Sequence, residues 1–399
     1  MTTKNNIPAG YKDSAVGVIP QEWEVKYLGD LCDNICSGSN KERNEYGKYH
    51  IYGSTGIIGY SNSYSYNYPT ILIARVGANA GIINRGVGEY DVSDNTLIVC
   101  NNNIVYEYDF AYNQLTNYNL NKLVFGSGQP LVTAGQLKRI KLPIPPMEEQ
   151  RKIAEILGVW DEAIEKQSRL IEKLELRKRA LMQRLLTGRT RLPGFTTPWQ
   201  KVKLGEIGKT YNGLTGKSKE DFEDGNAKFI PYINVFFNEK VNIDKLGVVS
   251  VDESEKQNKV QYGDIFFTVS SETPDEVGMA SVLLEYIDDT YLNSFCFGYR
   301  LNDFETLNPI FASYILRGDR FRNYMMVLAQ GSTRFNISKN EVMKLRIELP
   351  SLSEQKAIAE VLTTADNEIA THRKKLDALR LQKCGLMQQL LTGKTRVKI

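Results

Sequence analysis

From Ile153 the apolar side chains recur in alternating steps of four and three: Ile153, Leu157, Trp160, Ile164, then Ile171, Leu174, Leu181 and Leu185. Gln167 and Lys178 hold the same stripe. A 3.5-residue period kept this long predicts a coiled-coil seam on one long helix, not the 3.6-residue face of an ordinary surface helix. The stripe is written a second time, as Ile358, Leu362, Ala365, Ile369, His372, Leu376, Leu379, Lys383, Leu386 and Leu390. Start signals precede each copy: Pro145 and Pro146 with Glu148 and Glu149, and Pro350 with the capping box Ser351-x-x-Glu354. Gly188 and Gly393 stand where helix-ending glycines belong. At ~1.5 Å per residue, some forty residues make rods about 60 Å long.

The two stripes belong to a longer repeat. A shift of 205 residues lays EEQRKIAEIL (148–157) over SEQKAIAEVL (353–362), and LMQRLLTGRTR (181–191) over LMQQLLTGKTR (386–396), without a gap. GSGQPLVTAGQLKRIKLPIP (126–145) lies over GSTRFNISKNEVMKLRIELP (331–350) in the same frame, and WEVKYLGDL (23–31) echoes WQKVKLGEI (199–207). Each unit is a Trp-led globular stretch followed by a rod. A rod with an apolar seam needs a partner, and a pseudo-two-fold axis would set the copies antiparallel, bringing Lys178 near Ala365 and Lys383 near Trp160. Two separate helices, each packed on its own domain, are the alternative. The organisation expected is 1–145 globular, 146–190 helix, 191–350 globular and 351–399 helix.

The globular stretches read as mixed α/β. Short buried-strand runs recur (TILIARVG at 70–77, NTLIVC at 95–100, DIFFTVSS at 264–271, FCFGYRL at 295–301) between Asn-, Gly- and Ser-rich loops. Apart from their ends the two stretches are dissimilar in sequence. A shared frame with divergent filling suggests one job done on two targets. The fold class is therefore α+β, two mixed α/β domains joined by two long antiparallel coiled-coil helices in an internal repeat.

Composition narrows the chemistry. The 399 residues are 42% hydrophobic and 24% charged, with no apolar run near the ~20 residues that span a bilayer. The N-terminus has neither a signal-peptide core nor an Arg-rich transit pattern, so a cytoplasmic protein with no membrane partner is expected. Five scattered cysteines and two histidines signal no disulfide framework and no metal site. GLTGKS (213–218) ends like a phosphate-binding loop, but that pattern needs glycine at 211, where Tyr211 stands. No nucleophile elbow, zincin, dinucleotide or amino-methyltransferase signature is present. A net charge of +3 permits a polyanion partner only where basic residues cluster.

IYGSTGIIGYSNSYSYNY (51–68) is dense in Tyr, Ser, Asn and Gly. Lys41, Arg43 and Lys48 precede it; Arg75 and Arg85 follow. Basic residues interleaved with such side chains suit base-edge readout with phosphate anchoring. The candidate DNA-binding residues are Lys41, Arg43, Lys48, Tyr52, Ser54, Arg75 and Asn79 in the first half. Lys217, Lys219, Asn234, Ser270, Ser271, Arg334 and Asn336 form a thinner set in the second.

The frame [IL]-P-x-[ML]-x-E-Q-x-x-I-A-E-[IV]-L leading to a long helix and L-L-T-G-x-T-R, written twice, resembles the specificity subunit of type I restriction-modification enzymes. VGVIPQEWEVKYLGDL and IYGSTGIIGYSNSYSYNYPTILIARVGANAGIINRG look like its target-recognition domain, and the resemblance covers nearly the whole chain. It implies that each domain reads one half of a bipartite duplex DNA site in the major groove. The paired helices would set the gap and dock two modification subunits that methylate adenine, and restriction subunits would join to cleave. This chain would carry no cofactor; S-adenosylmethionine, ATP and Mg would sit on the partners. By position Ser127, Gln129 and Thr133, with Ser332, Arg334 and Ser338, are DNA-facing candidates. Glu155, Gln183, Thr187, Glu360, Gln388 and Thr392 are the partner-binding candidates on the repeated helices. The competing reading is a coiled-coil adaptor presenting two protein-binding modules without DNA affinity.

Overall fold

The structure is a computed structural model that describes residues 7–126 and 128–399. Two long helices, Met147–Leu185 and Leu352–Leu390, each run 39 residues. The chain divides into two compact units: 1–169 with 373–399, and 170–372. Each unit thus holds one globular region, the beginning of one long helix and the end of the other.

Unit 1 has a four-stranded antiparallel sheet in the order Cys32–Ser37, Thr96–Asn101, Thr70–Ala74, Ile83–Gly86. Beside it lies a three-stranded sheet, Gly56–Ser61, Tyr49–Gly53, Tyr90–Val92, whose second pairing is parallel. Unit 2 repeats both. Its four-stranded order is Gly208–Asn212, Cys296–Leu301, Ile265–Thr268, Ala280–Val282, and its three-stranded order is Gly247–Val249, Ala227–Ile230, Thr290–Leu292 with the same parallel partner. The globular regions that look unlike in sequence therefore share one topology. Burial, not identity, sets strand pairing: the central strands Thr70–Ala74 and Ile265–Thr268 are buried at every position, as the continuous apolar runs of the sequence demand.

Within each unit the two helix portions run antiparallel. In unit 1, Arg396 pairs with Glu149 (2.7 Å) and Lys383 with Asp161 (2.6 Å). In unit 2, Arg191 pairs with Glu354 (2.5 Å), Arg177 with Glu368, and Lys178 with Asp366 (2.7 Å). The two seam lysines thus lie within one residue of the positions the period predicts. Lys383 takes as its partner the carboxylate of Asp161, the residue after Trp160. Every seam position is buried or half-buried. Ile153 and Leu157 share a core with Leu390, Leu391 and Trp23, as Ile358 and Leu362 share one with Leu185, Leu186 and Leu204.

The helices end as Gly188 (φ +69) and Gly393 (φ +72) turn left-handed. Thr190 N then reaches Arg184 O (3.2 Å), and Thr395 N reaches Gln389 O (3.2 Å). That turn carries Arg191 and Arg396 back to the glutamates. The repeated T-G-x-T-R ending is thereby accounted for by contacts inside each unit. Trp23 Nε1 also donates to Glu149 Oε2 (2.9 Å). The neighbouring glutamines stitch the helix start to its globular region: Gln150 accepts from Glu107 N and donates to Pro145 O, while Gln355 accepts from Asn308 N and donates to Pro350 O. Among the described residues no helix is long and apolar enough to cross a membrane, and no three metal-ligating side chains converge.

Candidate nucleic-acid interface

In both units the segment leading back to the long helix first makes a tight hairpin. Phe125 N and Leu131 O lie 3.2 Å apart and the reciprocal pair 3.0 Å; Gln330 and Asn336 repeat this at 3.0 and 2.8 Å. The tight turn requires glycine. Gly126 and Gly331 have φ of +101 and +133, and a Cβ would fall 2.8 Å from Gln129 O and 2.1 Å from Arg334 O. Side chains at the tip, Gln129, Ser332 and Arg334, are exposed. Ser127 lies outside the described residues.

Each hairpin is tied to the loop that follows the central strand. Gly77 N donates to Pro130 O and Val132 N to Arg75 O, both at 2.9 Å; in unit 2 Ile337 N donates to Val269 O at 3.0 Å. This brings the backbone of Arg75 and Gly77 against the hairpin that carries Gln129, while the half-buried Asn79 sits in the same loop with its carbonyl accepting from Ile82 N (2.9 Å); in unit 2 Ser270 pairs with Asn336 and Ser271 with Phe335. Tyr232, which the composition did not single out, donates its hydroxyl to Ser270 O (2.8 Å). Burial pushes its phenol above the ordinary value, so it is a neutral donor. Its signal was positional, an aromatic at the start of the short helix Tyr232–Phe237.

Other candidates are committed to internal contacts. Lys217 is an ion-pair partner of Glu255 with a side chain only 7% exposed, so it cannot anchor a phosphate as it stands. Asn234 is buried and holds Asn242 O and Lys245 O. Thr133 forms a capping box with Gln136 at the start of Ala134–Lys138. Ser271 donates to Glu276 (3.1 Å). Tyr52 packs edge-on against Tyr90 at 5.4 Å, and burial raises its phenol. Much of the Tyr-rich stretch is therefore aromatic packing: Tyr66 also stacks on Tyr90. Arg75 bonds Ser37 Oγ (3.2 Å) and Asp94 O (3.4 Å).

Lys41, Arg43 and Lys48 stay exposed in the loop before Tyr49–Gly53. Lys48 lies over the Tyr49 ring (4.9 Å), and the hydrogen bond to that phenol raises its pKa. Ser54 sits in the turn ahead of Gly56, and Lys219 is exposed. Ser338 precedes the helix Lys339–Lys344 without capping it through its side chain. On the long helices, Glu155, Glu360 and Gln388 are exposed. Gln183 donates to Asp319 (3.2 Å). Thr187 and Thr392 donate to the carbonyls of Gln183 and Gln388, both at 2.6 Å, which satisfies their hydroxyls within the helix.

The model of the type I restriction modification DNA specificity domain family matches residues 20–176 and 196–381. The chain is 28% identical to the type I restriction enzyme MjaVIII specificity subunit of Methanocaldococcus jannaschii, over 95% of this chain and 94% of that one. It is 26% identical to the putative MjaX specificity subunit of the same organism, over 97% of each. Its fold is similar to the crystal structure of a type I restriction-modification S subunit from M. genitalium, with a TM-score of 0.59 and 17% identity over 98% of each chain.

Proposed function

Because the chain belongs to the type I restriction modification DNA specificity domain family, we propose that each of its two globular regions reads one half of a bipartite duplex target. The chain is a DNA-specificity subunit and is itself non-catalytic. The two long helices set the gap between half-sites and dock two modification subunits, which supply S-adenosylmethionine-dependent adenine methylation. Restriction subunits add ATP- and Mg-dependent cleavage.

The observation that supports this reading is the duplicated hairpin. The same glycine-dependent turn presents Gln129 from one unit and Arg334 from the other, on an otherwise shared topology. Gln and Arg are side chains able to make paired hydrogen bonds to purine edges, Gln to adenine and Arg to guanine. Lys41, Arg43, Lys48, Lys219 and Arg334 supply charge for the phosphates.

Duplex DNA turns once per ~34 Å, so rods of fixed length impose both distance and rotational phase. Four residues inserted after Leu174 add about one helical turn. Mapping genomic adenine methylation should then show both half-sites unchanged and a different gap; an unchanged gap would sink the ruler. Loss of DNA affinity should be steep as salt rises, since phosphate contacts release counterions. Salt-independent binding would favour the protein adaptor instead.

A further inference from the structure

The two units differ beside the seams of their helices. In unit 2, Asp366 is surrounded by donors: Lys178 Nζ (2.7 Å), the Tyr314 hydroxyl (2.6 Å) and Lys240 Nζ (3.5 Å), the last also bonded to the Tyr314 oxygen (2.8 Å). Lys240 comes from the segment after the helix Tyr232–Phe237. Unit 1 has no counterpart of that segment, because Tyr49–Gly53 turns straight into Gly56–Ser61. Asp161 holds the place of Asp366 and takes Lys383 (2.6 Å). Asn113 holds the place of Tyr314: FAYNQL (110–115) lies over FASYIL (311–316), in helices whose caps accept from Phe110 N and Phe311 N alike.

The shorter side chain and the missing segment leave a cavity of about 720 Å³, walled in part by Arg85, Asn113, Arg151, Gly158 and Asp161. Two oxygens on that wall, Asn113 Oδ1 and Asp161 Oδ2, are buried with no hydrogen-bond partner. Asn113 as a whole is only 1% exposed, so water is not its ready alternative. Arg85 does not serve them; it is paired with Asp109 and lies over the Tyr112 ring at 3.9 Å.

We infer that this cavity receives a lysine or arginine side chain from the modification subunit docked on unit 1, the part that Lys240 plays within the chain in unit 2. The inference rests on the docking proposed above. Two unpaired acceptors call for an N–H donor, the role Lys240 fills in unit 2; of the five carboxylates on the wall, Asp109, Glu155, Asp161 and Glu165 are already ion-paired, and Glu107 is the one left without a cation among the described residues. The two modification subunits are therefore held unequally, one by a contact that the chain makes for itself on the other side.

Gly158 offers a test that spares the fold. It is helical and exposed, and a Cβ there meets nothing within 4 Å, so Gly158→Arg improves helix propensity while placing a bulky cation at the cavity. Asn113→Tyr restores the unit 2 arrangement by an independent route. The full chain, wild type and each variant, would be titrated with the purified modification subunit of its own system and followed by native mass spectrometry. Wild type should bind two. In each variant one binding step should weaken at least tenfold while the other stays within twofold. Two unchanged steps, or two steps weakened alike, would overturn the inference. A wild-type chain that binds no modification subunit would overturn the docking itself.

Discussion

Glu149 and Glu354 occupy matching places in the first turns of the two long helices, each with its side chain buried and each gripped by an arginine from the end of the other helix. Their surroundings differ. Glu149 Oε2 accepts from both Arg396 Nη2 (3.0 Å) and Trp23 Nε1 (2.9 Å), whereas both oxygens of Glu354 are taken by Arg191 at 2.5 Å. The indole of Trp199, the counterpart of Trp23, keeps a buried N–H with no partner. The clip of glutamate and arginine is kept in both units, while the tryptophan kept beside it is bonded in one and without a partner in the other. Identity between the halves thus marks the shared frame, and the difference between the two half-site readers is to be sought where the globular regions part.

The most damaging way to break this comparison is to remove the carboxylates. Deleting one partner of a buried ion pair costs about 3–5 kcal/mol. Glu149→Ala should fall in that range, because Arg396 and Trp23 both lose their acceptor, although Arg396 retains Glu22 at the rim. Glu354→Ala should cost about 1 kcal/mol less, since no indole is newly orphaned. Urea unfolding read by hydrogen exchange in each unit would separate the two. Equal losses, or protection lost in the wrong unit, would show that the clip does not belong to the unit that contains it.

The hairpin tips sharpen the comparison on the functional side. Arg334→Ala should weaken binding to the cognate target by about 1–3 kcal/mol, with no further loss on targets already altered at the base it reads in one half-site. It should also lower the salt slope by about one if the guanidinium contacts phosphate. Gln129→Ala should act on the opposite half-site and leave the salt slope unchanged, because a neutral amide releases no counterion. Competition binding with half-site variants, repeated at two salt concentrations, measures both. Variants that weakened every sequence equally would make the tips phosphate anchors rather than readers.

What the sequence disclosed follows the range of each interaction. A heptad is local, so the helices, their antiparallel pairing and, to within one residue, the lysine positions could be read from it; Lys178 meets Asp366 where the period gave Ala365, and Lys383 meets Asp161 where it gave Trp160. The glutamate clip could not, because Glu149 in a first helical turn reads as a dipole partner, and only the fold reveals that Arg396 returns to it. Its one clue was the repetition of Glu-Gln and of the terminal Arg in the same frame. Composition marked Lys217, Asn234 and Tyr52 as DNA contacts and position marked Thr133, yet neither knows which side chains are already bonded. The common topology of the globular regions was equally hidden, since strand order depends on burial shared across the sheet, and residues as different as TILIA and IFFT satisfy it.

The smallest effect tests the finest difference. Trp23→Phe and Trp199→Phe remove the same N–H, but in one case it is bonded and in the other it is already without an acceptor. Raw stability losses would mix this with ring size, because Trp23 is fully buried and Trp199 only half-buried. A double-mutant cycle removes that ambiguity. Trp23→Phe combined with Glu149→Gln should show a coupling of about 1.5 kcal/mol, the lower end of the net worth of a hydrogen bond to a charged acceptor. Trp199→Phe with Glu354→Gln should show none, since Arg191 holds the carboxylate in either background. A coupling in the second cycle would mean that the Trp199 N–H shares Glu354 after all, and the two clips would then be one device built twice.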